Sequence, residues 1–298
     1  MNRKVLNIET VHQCNCCLGC KTLHPLVSII DLSKANLEQR SIKFDFYAIL
    51  LIESDANDYI YGRKYYDYST AALVFLTPGE SIKIDKRKIL SPKGWLLAFH
   101  PDLLRYTSLG KNIKCYSFFF YKLNEALHLS LREKAKAVEC LQNIGEELQH
   151  AIDCHSKTII SRYIELLLDY CARFYERQFI TRCEANKVTV GQTDMLLDEY
   201  IQSGKLRNGI LPSAEYCAKE LQLSAHYLND LLRFETGKNI DEYFQLKRLE
   251  ASKKMLTTEN TTVSMVVEKL GYANVQSFSR LFKKVTGVAP NEYKFTRN

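Results

Sequence analysis

Two groups of residues have chemistry to offer. Cys14, Cys16, Cys17 and Cys20 crowd into seven positions, with His12 and His24 nearby. Four thiolates can hold Zn²⁺ tetrahedrally, and clustered thiols are also oxidation sites. The usual pair-plus-pair spacing is missing, and the adjacency of Cys16 and Cys17 makes a shared tetrahedral site awkward. The residues favour an N-terminal arm, exposed or partly buried, with incidental thiols. No metal is expected, and these four cysteines are the candidates if one binds. The second group lies on two short helical patterns. One offers Ala225, His226, Asn229, Asp230 and Arg233, and the other Val275, Gln276, Ser277 and Arg280. Asn and Gln can bind adenine in two-point fashion, Arg binds guanine, a carboxylate accepts from cytosine N4, and Val meets the thymine methyl. Lys238, Lys283, Lys284 and Lys294, with Arg233, are candidate phosphate contacts, which set affinity rather than sequence choice. The competing reading of both patterns is an ordinary solvated helix face.

No catalytic constellation accompanies them. There is no phosphate-binding Gly loop, no Gly-x-Ser-x-Gly and no His-Glu-x-x-His. His100 has no His-x-His pair with a downstream carboxylate; it and His24 read as loop or hydrogen-bonding residues. The tyrosines of Tyr59–Tyr68 could line a pocket, although strand tyrosines more often pack against neighbours. No enzyme and no cofactor is expected.

The composition fits a globular chain. Its 298 residues suggest two domains. Apolar residues are 46% and charged residues 25%, too apolar for disorder. The apolar runs are strand-sized, far short of the roughly 20 residues of a membrane span. The start, Met1 to Val5, is basic with no apolar stretch behind it, so no signal peptide is read there. The expectation is a cytoplasmic protein with no membrane partner, its ten cysteines reduced. The net charge is +7, of which +2 follows Val190 (15 basic and 13 acidic residues). That permits nucleic-acid binding without demanding it.

The elements that must position these residues are legible in outline. Ala48–Ile52, Leu73–Leu76, Ile82–Ile84, Trp95–Phe99 and Tyr116–Tyr121 read as strands of a sandwich or barrel, with turns at Thr77–Gly79, Ser91–Gly94 and His100–Asp102. Leu127, Leu131, Ala135, Val138, Leu141, Ile144, Leu148 and Ile152 then recur at helical steps. Ile159, Tyr163, Leu166, Leu167, Tyr170, Phe174 and Tyr175 make a second helix that could pair with the first. Polar Thr181–Val190 is the linker candidate. Helices follow near Thr193–Ser203, Ser213–Leu221, Ser224–Glu235, Ile240–Thr257, Thr262–Leu270, Val275–Val285 and after Pro290. The expected segments are 1–125, a β-domain with an N-terminal arm; 126–180, helices; 181–190, a linker; and 191–298, an all-α domain.

One internal echo matters most. Ala218–Ser224 and Val267–Ala273 each run from a helix end into a sharp turn and a second helix. The expected buried stripes are Tyr227, Leu228, Leu231 and Phe234, and Phe278, Leu281, Phe282 and Val285. Phe244 and Leu249 are also expected in the core. Ser224 and Asn274 are good N-caps. Gly271 suits a left-handed turn, whereas Gln222 at the matching place should cost about 1 kcal/mol. This is helix-turn-helix logic used twice. The intervening helix, about 27 Å long at 1.5 Å per residue, could set two recognition helices about one DNA turn, roughly 34 Å, apart.

These residues carry a resemblance. Ser224, Tyr227-Leu228, Glu235-Thr236-Gly237-Lys238, Tyr243, Arg248-Leu249, Gly271-Tyr272, Ser277–Arg280, Phe282–Lys284, Thr286-Gly287 and Pro290 look like the DNA-binding domain of AraC/XylS-type transcription regulators, over about Thr193 to Lys294. Asp230 departs from the pattern, standing where that family often has a basic reader. Leu23-His24-Pro25, Tyr61-Gly62, Tyr66–Tyr68, Phe75, Pro78-Gly79, Gly94-Trp95 and Phe99–Asp102 resemble, more loosely, the N-terminal region of a subset of these regulators. The resemblance implies an α+β two-domain chain: a cupin-like β-sandwich or barrel with trailing helices used for dimerisation, then an all-α domain with two helix-turn-helix units. It implies a sequence-specific regulator of activator type, acting as a homodimer on double-stranded DNA, answering an unknown small-molecule effector and, as an activator, meeting RNA polymerase. One alternative is a metal- or redox-responsive regulator keyed by the cysteine cluster. The other is an enzyme with a cupin-type site, which the absent metal motif opposes.

Overall fold

The computed structural model describes residues 5–34, 41–53, 71–83, 93–258 and 261–296. The tyrosines of Tyr59–Tyr68, which could line a pocket or pack as a strand pair, Ile84 and the first half of the turn at Ser91–Gly94 lie outside them. The chain divides into two units, Met1–Thr181 and Arg182–Asn298.

The first unit is built on two sheets. β1 (Leu6–Ile8), β3 (Ser41–Phe44) and β6 (Ser81–Lys83) form one, with β1 parallel and β6 antiparallel to β3. β2 (Val27–Asp31), β7 (Lys93–Phe99), β4 (Tyr47–Glu53), β5 (Ala71–Leu76) and β8 (Leu127–Leu129) form the other, antiparallel throughout in that spatial order. The central strands are apolar on both sides because both faces of this sheet are covered. Ile49, Leu51, Leu73, Phe75, Leu97 and Phe99 share one buried cluster with the helices. Ala48, Leu50, Val74, Leu76, Leu96 and Ala98 share another with Ile8, Ile42, Phe44 and Ile82 of the smaller sheet. Gly94 is obligatory in β7: its φ is +138°, and a Cβ there would strike the Leu51 carbonyl.

Between β1 and β2 the expected arm, partly buried, forms α1 (Val11–Leu18). Thr10 caps it reciprocally with Gln13, Gly19 ends it in left-handed conformation, and Cys14 and Leu18 enter the inter-sheet core.

After β7 come α2 (Pro101–Leu104) and α3 (Ser108–Asn112). The expected strand at Tyr116–Tyr121 is instead 3₁₀ turns. Phe118 and Phe119 are both buried against Phe75, and a short buried apolar run has no periodicity to separate strand from turn. Leu127, expected to begin a helix, belongs to β8. α4 (Leu131–Glu147) starts at the capping box of Ser130 and Glu133, and neither Leu131 nor Ile152 is buried. α5 (Ser156–Thr181) follows. Its Ile160, Ile164, Leu167 and Cys171 share one buried cluster with α4; of the expected stripe, Leu167, Phe174 and Tyr175 are buried while Ile159 and Leu166 are exposed. Arg177 on α5 forks both oxygens of Glu133, at 2.9 and 2.6 Å, and fixes the start of α4.

The second unit is helical: α6 (Cys183–Gln202), α7 (Ala214–Glu220), α8 (Ala225–Thr236), α9 (Ile240–Leu256), α10 (Val263–Lys269), α11 (Val275–Thr286) and α12 (Pro290–Thr296). The two units divide within the expected linker, after Thr181, and its residues 183–190 are helical, forming the first two turns of α6. Its polar residues are buried by hydrogen bonding, Asn186 to Glu235 and Thr189 to the Ala185 carbonyl, so no apolar period announces the helix. Tyr243 and Lys247 on α9 both reach Asp194 on α6, at 2.7 and 2.8 Å.

Candidate nucleic-acid interface

Two helix pairs, α7–α8 and α10–α11, are made the same way. Ser213 and Thr262 cap the first helices, accepting from Tyr216 N–H and Met265 N–H. Ser224 and Asn274 cap the second, accepting from Tyr227 N–H and Ser277 N–H. Both second helices have 12 residues and end at a left-handed glycine, Gly237 or Gly287. Each position of α8 thus maps onto α11 fifty residues later, from Ala225 and Val275 onwards. The repeat continues beyond the helices. The Thr236 and Thr286 hydroxyls both bond the carbonyl four residues back, and Glu242 and Glu292 both cap back onto the start of the next helix.

The turns differ. Gln222 and Gly271 are both left-handed, with φ of +59° and +64°. Gln222 is exposed and accepts the strain of a side chain there. Gly271 has no such freedom, because a Cβ would strike the Leu206 carbonyl. The second turn is also held from α9. Buried Arg248 donates Nε–H to the Leu270 carbonyl at 2.7 Å and lays its guanidinium 3.7 Å from the centre of the Tyr272 ring. Burial lowers the Arg248 pKa and pushes the Tyr272 phenol up to about 12. The second turn carries one residue more before its N-cap: Tyr272 and Ala273, where the first has only Leu223.

On α11, Val275, Gln276, Ser277 and Arg280 are all exposed at the N-terminal half, with Lys283 and Lys284 exposed beyond them. Ser277 is also tied locally, its hydroxyl donating to the Asn274 carbonyl. α11 carries three basic and no acidic residues. On α8, His226 and Arg233 are exposed and Ala225, Asn229 and Asp230 are half-buried. This helix carries one basic and two acidic residues. The Glu215 carboxyl, on α7, is held low by its backbone N–H and the Ser213 hydroxyl, with His226 adding to the effect.

Two expected contacts are engaged elsewhere. Asn229 accepts the Ile240 N–H at 3.0 Å and so caps the start of α9. Fifty residues on, that position is Pro290, which has no N–H, and Asn229 is matched by Ser279. Asn229 therefore braces α8 against α9, and the proline was the signal for it. Lys294 donates to the Thr261 carbonyl at 2.9 Å and ties α12 to the start of α10. Lys238 is half-buried beside Gly237. Three residues expected in the core are exposed: Phe234, Leu281 and Val285, at 42, 37 and 53%. Tyr227, Phe244, Leu249, Phe278 and Phe282 are buried.

The cysteine cluster does not converge on one point. Cys14 faces the core, where burial pushes its thiol up to about 12, while Cys16 and Cys17 are exposed. Among the described residues no group of three or more His, Cys, Asp or Glu side chains is placed to hold a metal. Nor, among them, is any helix long and apolar enough to cross a membrane. His100 caps α2 and His24 accepts the Leu26 N–H.

Residues 217–295 match the model of a helix-turn-helix domain family. The chain is 40% identical over 70 residues to the uncharacterized HTH-type transcriptional regulator YobQ of Bacillus subtilis, covering 24% of this chain and 29% of that protein. It is 36% identical over 85 residues to the uncharacterized transcriptional regulatory protein YesN of the same organism, covering 28% of this chain and 23% of that one. The chain thus spans less than a third of either relative. Among solved structures it is similar to the C-terminal domain of AraT, a response regulator from Geobacillus stearothermophilus, at 28% identity over 35% of this chain and 85% of that one, with a TM-score of 0.29.

Proposed function

We propose that this chain, whose residues 217–295 match a helix-turn-helix domain family, is a DNA-binding transcriptional regulator of AraC type that reads two successive major grooves of one operator with α8 and α11. The observation that carries the reading is the face of α11 that exposes Val275, Gln276, Ser277 and Arg280, with Lys283 and Lys284 beyond them and no acidic residue on the helix, after a turn that Arg248 holds at Leu270 and Leu206 closes at Gly271. In this reading Val275, Gln276, Ser277 and Arg280 meet base edges, and Lys283 and Lys284 meet phosphates. His226, Asp230 and Arg233 are the readers on α8, with Lys238 at the backbone. The 17 residues of α9 span about 26 Å and act as the spacer between the grooves.

The first unit is the regulatory part. Its cupin-like character, supported by two sheets sharing an apolar core, makes it the seat of effector sensing, and α4 and α5 the homodimer contact. The protein is an activator that engages RNA polymerase in the cytoplasm, and it is not an enzyme. An effector would act by favouring one state over another through differential binding. Genome-fragment selection with the purified full chain tests the reading. Enrichment of a shared motif, with affinity falling steeply as salt rises, is expected; binding without a motif would remove sequence-specific regulation.

A further inference from the structure

The cysteine helix α1 holds an arrangement that DNA binding does not use. His12 and Cys16 stand one turn apart, both exposed, with Cys16 Sγ 3.6 Å from His12 Nε2. His12 Nδ1 is 2.9 Å from Thr22 Oγ1. Thr22 is itself fixed from below. Fully buried Asn15 donates Nδ2–H to Thr22 Oγ1 at 3.1 Å and accepts the Ser28 hydroxyl at 2.7 Å. Thr22 Oγ1 has two lone pairs, one taken by Asn15. In the tautomer in which the other accepts the Nδ1–H of His12, Nε2 is bare and faces the thiol. A nucleophile, a base and a group that orients the base thus stand in line.

From this geometry we infer that Cys16 is a nucleophilic thiol that exchanges with low-molecular-weight disulfides, with His12 as its general base. The step balances. Cys16 Sγ attacks one sulfur of R–S–S–R as its proton passes to His12 Nε2, the Cys16–S–S–R bond forms, and the R–S bond to the departing sulfur breaks. The departing thiolate takes the proton from His12 and leaves as R–SH, so two electrons pass from the protein thiol to the small disulfide. The last turn of a helix does not favour a standing negative sulfur. Proton removal during attack is therefore the role the geometry gives His12. The other thiols supply controls. Among the described residues Cys16 alone pairs with an imidazole. Cys17, Cys115, Cys154 and Cys183 are exposed without one, and burial raises the Cys14, Cys140, Cys171 and Cys217 thiols.

Exposing the full-length reduced protein to excess 5,5′-dithiobis-(2-nitrobenzoate), and mapping the labelled peptides by mass, tests this. One thiol should react at least about tenfold faster than the other exposed cysteines and map to Cys16. Cys16→Ser should abolish that phase, and His12→Gln should slow it to the rate of Cys17. Thr22→Val, which removes the group orienting the ring, should also slow it, while circular dichroism stays unchanged. A wild-type protein without the fast phase overturns the inference. So does a fast phase that maps elsewhere, or one that keeps its rate in folded His12→Gln or, should that variant unfold, in Thr22→Val.

Discussion

α8 and α11 have the same length, the same kind of cap and the same glycine stop, yet they present different surfaces. Asp230 on α8 stands where α11 has Arg280, and Glu235 stands where it has Val285. The first turn is an exposed Gln222 under strain; the second is Gly271, closed in by Leu206 and Arg248. A repeated scaffold has thus been kept for its geometry while charge and rigidity have been placed on one copy. Backbone phosphates attract the basic helix and repel the acidic one, so in the proposed reading α11 supplies most of the affinity and α8 refines the choice of site.

The largest effect separating the copies should come from their turns. Gly271→Ala adds a Cβ at positive φ against the Leu206 carbonyl and should cost about 3 kcal/mol in urea unfolding of the full chain. Gln222→Gly relieves a left-handed side chain and should change stability by less than about 1 kcal/mol. Similar shifts in the two would erase the distinction. Next comes the charge contrast. Arg280→Ala should weaken operator binding by about 10- to 100-fold, whereas Asp230→Ala should strengthen it by about threefold at low salt, both by fluorescence anisotropy. Asn229→Ala should cost about 1 kcal/mol of stability through the lost cap on α9 and leave base preference as it was; a relaxed motif would return Asn229 to the reading face. Smallest are the lysines. Lys283→Ala and Lys284→Ala should each lower the log–log salt slope of binding by about 1, and Lys294→Ala, tied to Thr261, should not.

The C-terminal helices were legible because their signals are local: a capping Ser, Thr or Asn, an apolar period, a glycine stop. Gln222 was legible too, by its place opposite Gly271. What escaped was decided by tertiary partners. Asn229 looks like a base reader until Ile240 supplies an N–H that Pro290 lacks. The start of α6 hides because Asn186 and Thr189 are buried by hydrogen bonds rather than by apolar contact. Phe118 and Phe119 form a turn because Phe75 and its neighbours cover both. Phe234, Leu281 and Val285 fall on the right helical period but at the edge of the buried stripe, which periodicity alone does not bound.

The division of labour between the helices is tested most directly by selecting random-sequence duplexes with the wild-type chain, Arg280→Ala and His226→Ala side by side. Wild type should enrich a motif of two parts about one DNA turn apart. Arg280→Ala should lose most affinity and relax one position in one part, while His226→Ala relaxes a position in the other with little loss of affinity. A motif that survives Arg280→Ala unchanged, or one that collapses only in His226→Ala, would contradict the assignment of α11 as the main reader.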